Sequence, residues 1–319
     1  MLSLPGHFVP NPVQVHYRTK PGAMRRRPLS IHTSYDADGN RIAKFQSTTG
    51  ALDGTATDIT TYKWNEKNQL TAVDQYSTYA DYLAGTDSSE IDYGYDAFGN
   101  MVSRSPSGIS GESPEFFVYD GGNVALILDS DGGVIQRNLD GAVDQVFASE
   151  AGTASSTLTP GTVDWFMTDN QGTVRDVVQF GAVSGGGSGG FVVDHLVYDS
   201  FGQMTSQTNS LYQPTVMYAG MQYDADAGMY YDKARWYDAV DAVFAGPDPL
   251  GFLAGQTNLE EYCGNSPANF TDPTGMTQKT WNQMTYAESE AAQPTFRTSG
   301  FHFLRISRRR QVSGVVLGW

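Results

Sequence analysis

The sequence predicts a mostly-β protein made of an array of short hairpins. Three observations carry that prediction. A Tyr-Asp-x-x-Gly unit recurs along the chain, and Gly (35) and Tyr (18) are abundant in its 319 residues. No long amphipathic helical pattern occurs between residues 31 and 240.

The repeated unit is legible as a hairpin. Tyr35-Asp36-Ala37-Asp38-Gly39-Asn40, Tyr95-Asp96-Ala97-Phe98-Gly99-Asn100 and Tyr198-Asp199-Ser200-Phe201-Gly202-Gln203 are the clear copies. Tyr119-Asp120-Gly121-Gly122-Asn123 and Tyr62-Lys63-Trp64-Asn65-Glu66-Lys67-Asn68-Gln69-Leu70 are weaker relatives. Tyr closes a strand with its ring on the packed face. Asp opens a turn because its carboxylate accepts local backbone N–H groups. Gly three positions later supplies the positive φ on which such turns end. Alternating residues such as Arg41-Ile42-Ala43-Lys44-Phe45 then form the return strand. Repetition implies that each unit buries its aromatic ring against a neighbour. Residues 124–136 and 169–178 repeat the scheme. Stretch 71–92 is the place for a short helical insertion, and Gly185-Gly186-Gly187-Ser188-Gly189-Gly190 reads as a loop between two strands.

Composition narrows the function classes. The net charge is −15, with 35 Asp+Glu against 20 Lys+Arg. Five basic residues and no acids fall in residues 1–30, and residues 277–319 carry a net +4, which leaves −24 on residues 31–276. An acidic body argues against nucleic-acid binding by that body. One Cys, Cys263, rules out an internal disulfide framework and reads as a buried free thiol. No apolar run reaches the roughly 18 residues of a membrane span. The apolar stretch Met1–Pro5 precedes its charges and is short, so it does not read as a secretory signal. Residues 1–30 read as a basic, disordered leader; an arm for nucleic acid or membrane built on Arg25-Arg26-Arg27 is the lesser reading. No cofactor is expected. The five His residues (His7, His16, His32, His195, His302) lack ligand spacing. Asp36 and Asp38, or Asp129 and Asp131, have the oxygen chemistry of calcium sites, but no loop of about twelve residues surrounds them, so solvated turns are preferred.

Residues 218–275 hold the densest set of motifs. Gly220 is followed by Tyr223-Asp224, Gly228-Met229-Tyr230-Tyr231 and Ala234-Arg235-Trp236-Tyr237-Asp238. Then come Phe244, Asp248-Pro249-Leu250-Gly251, Asn258-Leu259, Tyr262, Asn265-Ser266-Pro267 and Asp272-Pro273-Thr274-Gly275. That order and spacing resembles the RHS/YD-repeat family, specifically its RHS repeat-associated core. Asp169–Val178 is similar to the family's D-x-x-G-[ST]-V-R segment, and the hairpin units match its YD repeat.

The resemblance implies a division of the chain into a leader (1–30), a YD-repeat segment of an RHS-type β-shell (31–215), the core that plugs the shell (216–276) and a variable basic tail (277–319). It implies that the shell encloses the tail as its effector cargo, with upstream shell or secretion components as partners, in a secreted or cell-surface protein. It further implies intramolecular aspartic self-cleavage, with Asp248 and Asp272 as the carboxyl pair, Arg235 as their support and Met276–Thr277 as the bond cut. The pattern departs from the family at Ala242-Val243-Phe244, where Gly-Arg-Phe is usual, and at Ala239, where Pro is usual. The first departure implies the loss of a tight turn and a charge beside the site.

The residue types suit this chemistry. Two close carboxyls do not readily both ionise, so one serves as base and one as acid. An always-charged Arg holds one ionised and stabilises a developing oxyanion. Pro after each Asp fixes φ, and the Gly that follows permits a turn. Asp-Pro and Pro-x-Gly are also ordinary turn signals. The tail is short for a folded effector without disulfides or metal, and its Arg308-Arg309-Arg310 and Val315-Val316-Leu317 with Trp319 suggest contact with phosphate groups and with an apolar inner wall. The alternative is a non-enzymatic surface or carbohydrate-binding YD-repeat protein, with Trp64, Trp165 and Trp236 as candidate sugar platforms.

Overall fold

The computed structural model describes residues 30–141, 144–152, 162–183 and 187–280. The leader and most of the tail lie outside them, so the expectations for those segments are not addressed by this structure.

The fold is dominated by one 14-stranded antiparallel sheet whose strands pair in chain order. They are β1 (Ser30–Tyr35), β2 (Arg41–Ser47), β3 (Thr57–Trp64), β4 (Leu70–Thr78), β5 (Ser89–Tyr95), β6 (Met101–Ser107) and β7 (Glu115–Asp120). The order continues with β8 (Asn123–Leu128), β9 (Val134–Asp140), β10 (Val146–Ala151), β11 (Val163–Thr168), β12 (Val174–Val183), β13 (Gly187–Tyr198) and β14 (Met204–Gln207). The mostly-β hairpin array expected from the sequence is the fold observed.

The turns are built as the repeated unit dictates. Asp36 Oδ1 accepts the backbone N–H of Asp38 (3.0 Å) and Asn40 (2.8 Å). Asp96, Asp129, Asp169 and Asp199 repeat that pattern, each from the residues two and four positions on. The glycine of each unit has positive φ, from 78° at Gly172 to 95° at Gly99. In the weaker copy Asn65 replaces Asp with the same wiring, and Asn68 takes the left-handed position at φ 57°. The copy at Tyr119 is different: Asp120 pairs directly with Asn123, leaving a two-residue turn. Here Asn123 opens the return strand and the Asp-to-N–H bracket is not used.

Two local expectations need amendment. The helix inside 71–92 is α1, Tyr79–Ala84, capped by reciprocal bonds between Thr78 and Asp81 and ended by Gly85; the rest of that stretch belongs to β4 and β5. The glycine-rich segment is not all loop. Gly187–Gly190 pairs with residues 180–183 and lengthens β13, because glycine does not forbid ladder bonds where a partner strand is in register.

The segment 222–280 carries two smaller sheets. It contains β15 (Gln222–Asp224), β16 (Met229–Asp232), β17 (Arg235–Asp238) and β18 (Val243–Phe244) in one small sheet, and β19 (Phe270–Thr271) with β20 (Lys279–Thr280) in another. β16 and β17 are buried at every position. Their side chains join two apolar clusters with the large sheet, one through Tyr230 and Tyr237, the other through Met229, Tyr231 and Trp236.

Polar contacts fix these sheets across the row of Tyr-Asp turns. Tyr218, Tyr237 and Tyr230 donate their hydroxyls to the carbonyls of Ser200 (2.9 Å), Phe201 (2.7 Å) and Gly202 (2.9 Å), three successive residues of one turn. Tyr231 donates to Gly99 O and accepts the N–H of Met101. At the first hairpin, the Arg41 N–H donates to Ala245 O at 2.8 Å. The fully buried Arg41 side chain meets Asp238 (2.5 Å) and Asp241 (3.2 Å), and Lys44 meets the same acids. Arg41 and Lys44 outweigh burial and hold the Asp238 carboxyl below its ordinary range.

Candidate functional site

The three residues singled out as catalytic meet at one point. β17 presents Arg235, the Asp-Pro-Leu-Gly turn after β18 presents Asp248, and the Asp-Pro-Thr-Gly turn after β19 presents Asp272. Arg235 Nη2 lies 3.2 Å from Asp248 Oδ2 and 3.1 Å from Asp272 Oδ2. All three are buried. One nitrogen therefore bridges the two carboxyls. The rest of the guanidinium is fixed as well: Nη1 donates to Leu259 O (3.0 Å), Nε donates to Gly275 O, and the ring of Phe244 packs 3.5 Å from Cζ. Burial lowers the Arg235 pKa from its ordinary value while Asp248 and Asp272 oppose that fall.

Each aspartate is also held by its own turn. Asp248 Oδ1 accepts the N–H of Leu250 (2.8 Å), and the Asp248 N–H donates to Leu259 O. Asp272 Oδ1 accepts N–H groups from Thr274 (3.3 Å), Met276 (3.0 Å) and Thr277 (2.9 Å). Met276 and Thr277, the expected scissile pair, are thus bound through both of their amides to Asp272. Gly275 makes this possible. Its φ is +66°, and a Cβ there would stand 2.1 Å from Asp232 O.

The departure at Ala242 does not remove a turn. Ala242 adopts φ 62°, the left-handed conformation that glycine would take more cheaply, and Val243 still pairs with Asp238. The ring of Phe244 is delivered to Arg235 regardless.

Sequence reading missed three neighbours. Asp232 and Lys233 stand just before Arg235, and Asp144 comes from the turn between β9 and β10. Lys233 Nζ is ion-paired with Asp144 and donates to Pro273 O at 2.7 Å. Asp232 is buried and its Oδ2 has no hydrogen-bond partner. Burial, then Asp272 and Asp144, push its carboxyl well above the ordinary range. A charged pair directly after the apolar run Met229-Tyr230-Tyr231 was the available signal for Asp232 and Lys233. Nothing local marked Asp144.

The remaining candidates fall elsewhere. Trp236 is buried and bonds Tyr95 Oη, and Trp64 Nε1 donates to Arg41 O. Trp165 packs edge-on against Phe180. Asp36 and Asp129 spend an oxygen on turn N–H groups. Among the described residues no His, Cys, Asp and Glu group is arranged to hold a metal ion, and no helix is long and apolar enough to cross a membrane. Cys263 is buried, and burial pushes its thiol pKa up. His195 Nδ1 lies 2.7 Å from Asp176 on the exposed sheet surface.

Comparison with known proteins adds the family context. No protein-family model matches the chain. It is 27% identical over 248 residues to the tRNA nuclease WapA of Bacillus subtilis, covering 76% of this chain and 9% of WapA. It is 24% identical over 264 residues to the probable deoxyribonuclease RhsB of Dickeya dadantii, covering 77% of this chain and 15% of RhsB. The chain is similar to Rhs and WapA proteins. Among solved structures, the TcdB2-TccC3 crystal structure aligns with a TM-score of 0.52 at 16% identity, over 76% of this chain and 13% of the other. The Photorhabdus luminescens Tc holotoxin pore aligns with a TM-score of 0.51 at 15% identity, over 77% and 13%. Those structures share the fold. The chain spans a small fraction of each relative's length.

Proposed function

We propose that this chain is a segment of an RHS-type β-shell that encloses and presents a C-terminal effector, and that it cuts itself between Met276 and Thr277. The observation that carries the reading is the shared Arg235 nitrogen between Asp248 and Asp272, with the Thr277 amide already on Asp272. Similarity to Rhs and WapA proteins, whose names describe nucleases, supports the shell-and-effector half.

The chemistry follows from the geometry. A water attacks the Met276 carbonyl carbon. The ionised carboxylate of the pair takes a proton from that water, and the protonated partner gives one to the Thr277 nitrogen as the C–N bond breaks. Asp272 accepts the Thr277 N–H, which holds the scissile amide beside the pair. The products are a carboxylate on Met276 and an ammonium on Thr277, with one water consumed. Arg235 keeps the pair from both becoming neutral and fixes their separation.

The test is the intact mass of freshly expressed chain. Two species with a new N-terminus at Thr277 are expected, and Asp248→Asn or Asp272→Asn should each give one uncut species. A wild-type chain that stays whole would remove the peptidase half. The carbohydrate reading gains nothing from the geometry, since Trp64 and Trp236 are spent on packing.

A further inference from the structure

The bond to be cut lies on the turn 272–277, and a lysine ties that turn to the sheet. Lys233 Nζ donates to Pro273 O at 2.7 Å and forms an ion pair with Asp144. Both partners of the pair sit in unusual backbone. Lys233 has φ 51° and Asp144 has φ 61°, the left-handed region where side-chain-bearing residues are uncommon. Asp144 is buried, and its N–H is held by Asn123 Oδ1 at 2.9 Å. It therefore belongs firmly to the sheet's turn row. A chain of direct contacts runs from that row through Asp144 and Lys233 to Pro273, the residue next to Asp272. Strained backbone that aims one ammonium at a carboxylate and a turn carbonyl is a positioning device.

We infer that Lys233, anchored by Asp144, is the positioning residue of the scissile turn, so that cleavage requires the large sheet to be docked on the small one. This rests on reading Asp248 and Asp272 as the cutting pair. Lys233 touches neither reacting carbonyl nor water in this account. Its effect is to keep the Met276 and Thr277 amides on Asp272. Cleavage then reports a docked wall: an unfolded or detached sheet leaves Lys233 without Asp144 and the turn without its tether.

The full-length chain tests this in two arms. In cell-free synthesis with a pulse label, the first-order rate of cutting is followed for wild type, Lys233→Met, Lys233→Arg and the double variant Asp144→Asn with Lys233→Met. The double variant matters because it leaves no orphan carboxylate. In an uncut Asp248→Asn background, amide exchange is compared between residues 272–280 and the buried strands 229–238. Misplacing the turn by about 1 Å should slow cutting about 100-fold in Lys233→Met and in the double variant. Lys233→Arg, which keeps a donor for both partners, should recover most of the rate. Exchange at Met276 and Thr277 should rise while residues 229–238 stay protected in the double variant. Wild-type cutting by the double variant overturns the inference, and so does an equal rise in exchange across both segments. If wild type itself is never cut, the peptidase reading fails separately. The exchange arm then decides alone, and unchanged exchange at 272–280 overturns the tether.

Discussion

Gly275→Ala tests the geometry of the site most directly. The added Cβ would stand 2.1 Å from Asp232 O and 3.2 Å from the amide nitrogens of Ala234 and Arg235. All three are backbone atoms, so no side chain can swing aside. Carbon and oxygen need well over 3 Å, and the turn must retreat by roughly 1 Å. The Met276 and Thr277 amides, now 3.0 and 2.9 Å from Asp272 Oδ1, then move out of hydrogen-bond range. The Arg235-to-Gly275 bond is lost with them. Alanine at φ +66° adds about 1 kcal/mol of backbone cost, and the overlap adds about 1–3 kcal/mol. The assay is time-resolved gel separation of intact and cut chain, alongside thermal melting. Cutting should slow by about 100-fold, while melting falls by only a few degrees per kcal/mol lost. A variant that cuts within about threefold of wild type would refute the reasoning, because it would mean that the Asp272 contacts to the scissile pair are dispensable.

Two further outcomes are expected. Asp232→Asn should remove part of the loss of stability that accompanies rising pH: the Asp232 pKa is raised by burial and by Asp272, so its contribution is fully present below the ordinary carboxylate range and is lost as pH rises through the raised value. Melting temperatures taken upward from the ordinary carboxylate range should fall less steeply with pH for the variant, and identical slopes would count against the assignment. Arg41→Met should cost about 3 kcal/mol in urea unfolding, since it removes the buried cation that Asp238 faces and leaves Lys44 and two turn N–H groups to hold that carboxylate. It should also flatten the acid limb, because the stability gained from the depressed Asp238 pKa is present above the ordinary range and lost as pH falls through the lowered one.

The hairpin array was legible because its instructions are local. An Asp bracketing two N–H groups and a Gly three residues on specify a turn without help from the rest of the chain. The convergence of Arg235, Asp248 and Asp272 was legible only through motif resemblance, since residues in three separate turns and strands carry no local mark of their meeting. Asp144 was not legible at all, and nothing in the sequence joined Lys233 to it. Their pairing depends on how the sheet's turn row meets β16 and β17, which is a long-range packing outcome. Ala242 shows the reverse limit: a residue that local steric preference would remove from a left-handed turn is held there by β17–β18 pairing. Gly187–Gly190 likewise joins a strand against its propensity, because β12 offers a register.

The tyrosine hydroxyls that seat the small sheets bond to the Asp199 turn through main-chain oxygens of Ser200, Phe201 and Gly202. Every amino acid offers that same oxygen. The docking is therefore blind to the identity of the two middle residues, and those positions are free to drift without loosening the joint. Ala-Asp, Ala-Phe and Ser-Phe at the corresponding places of the clear copies are the trace of that freedom. A repeat whose joints are read from the backbone can diverge in sequence while its assembly stays the same, so copy number and surface character can change with the architecture left intact.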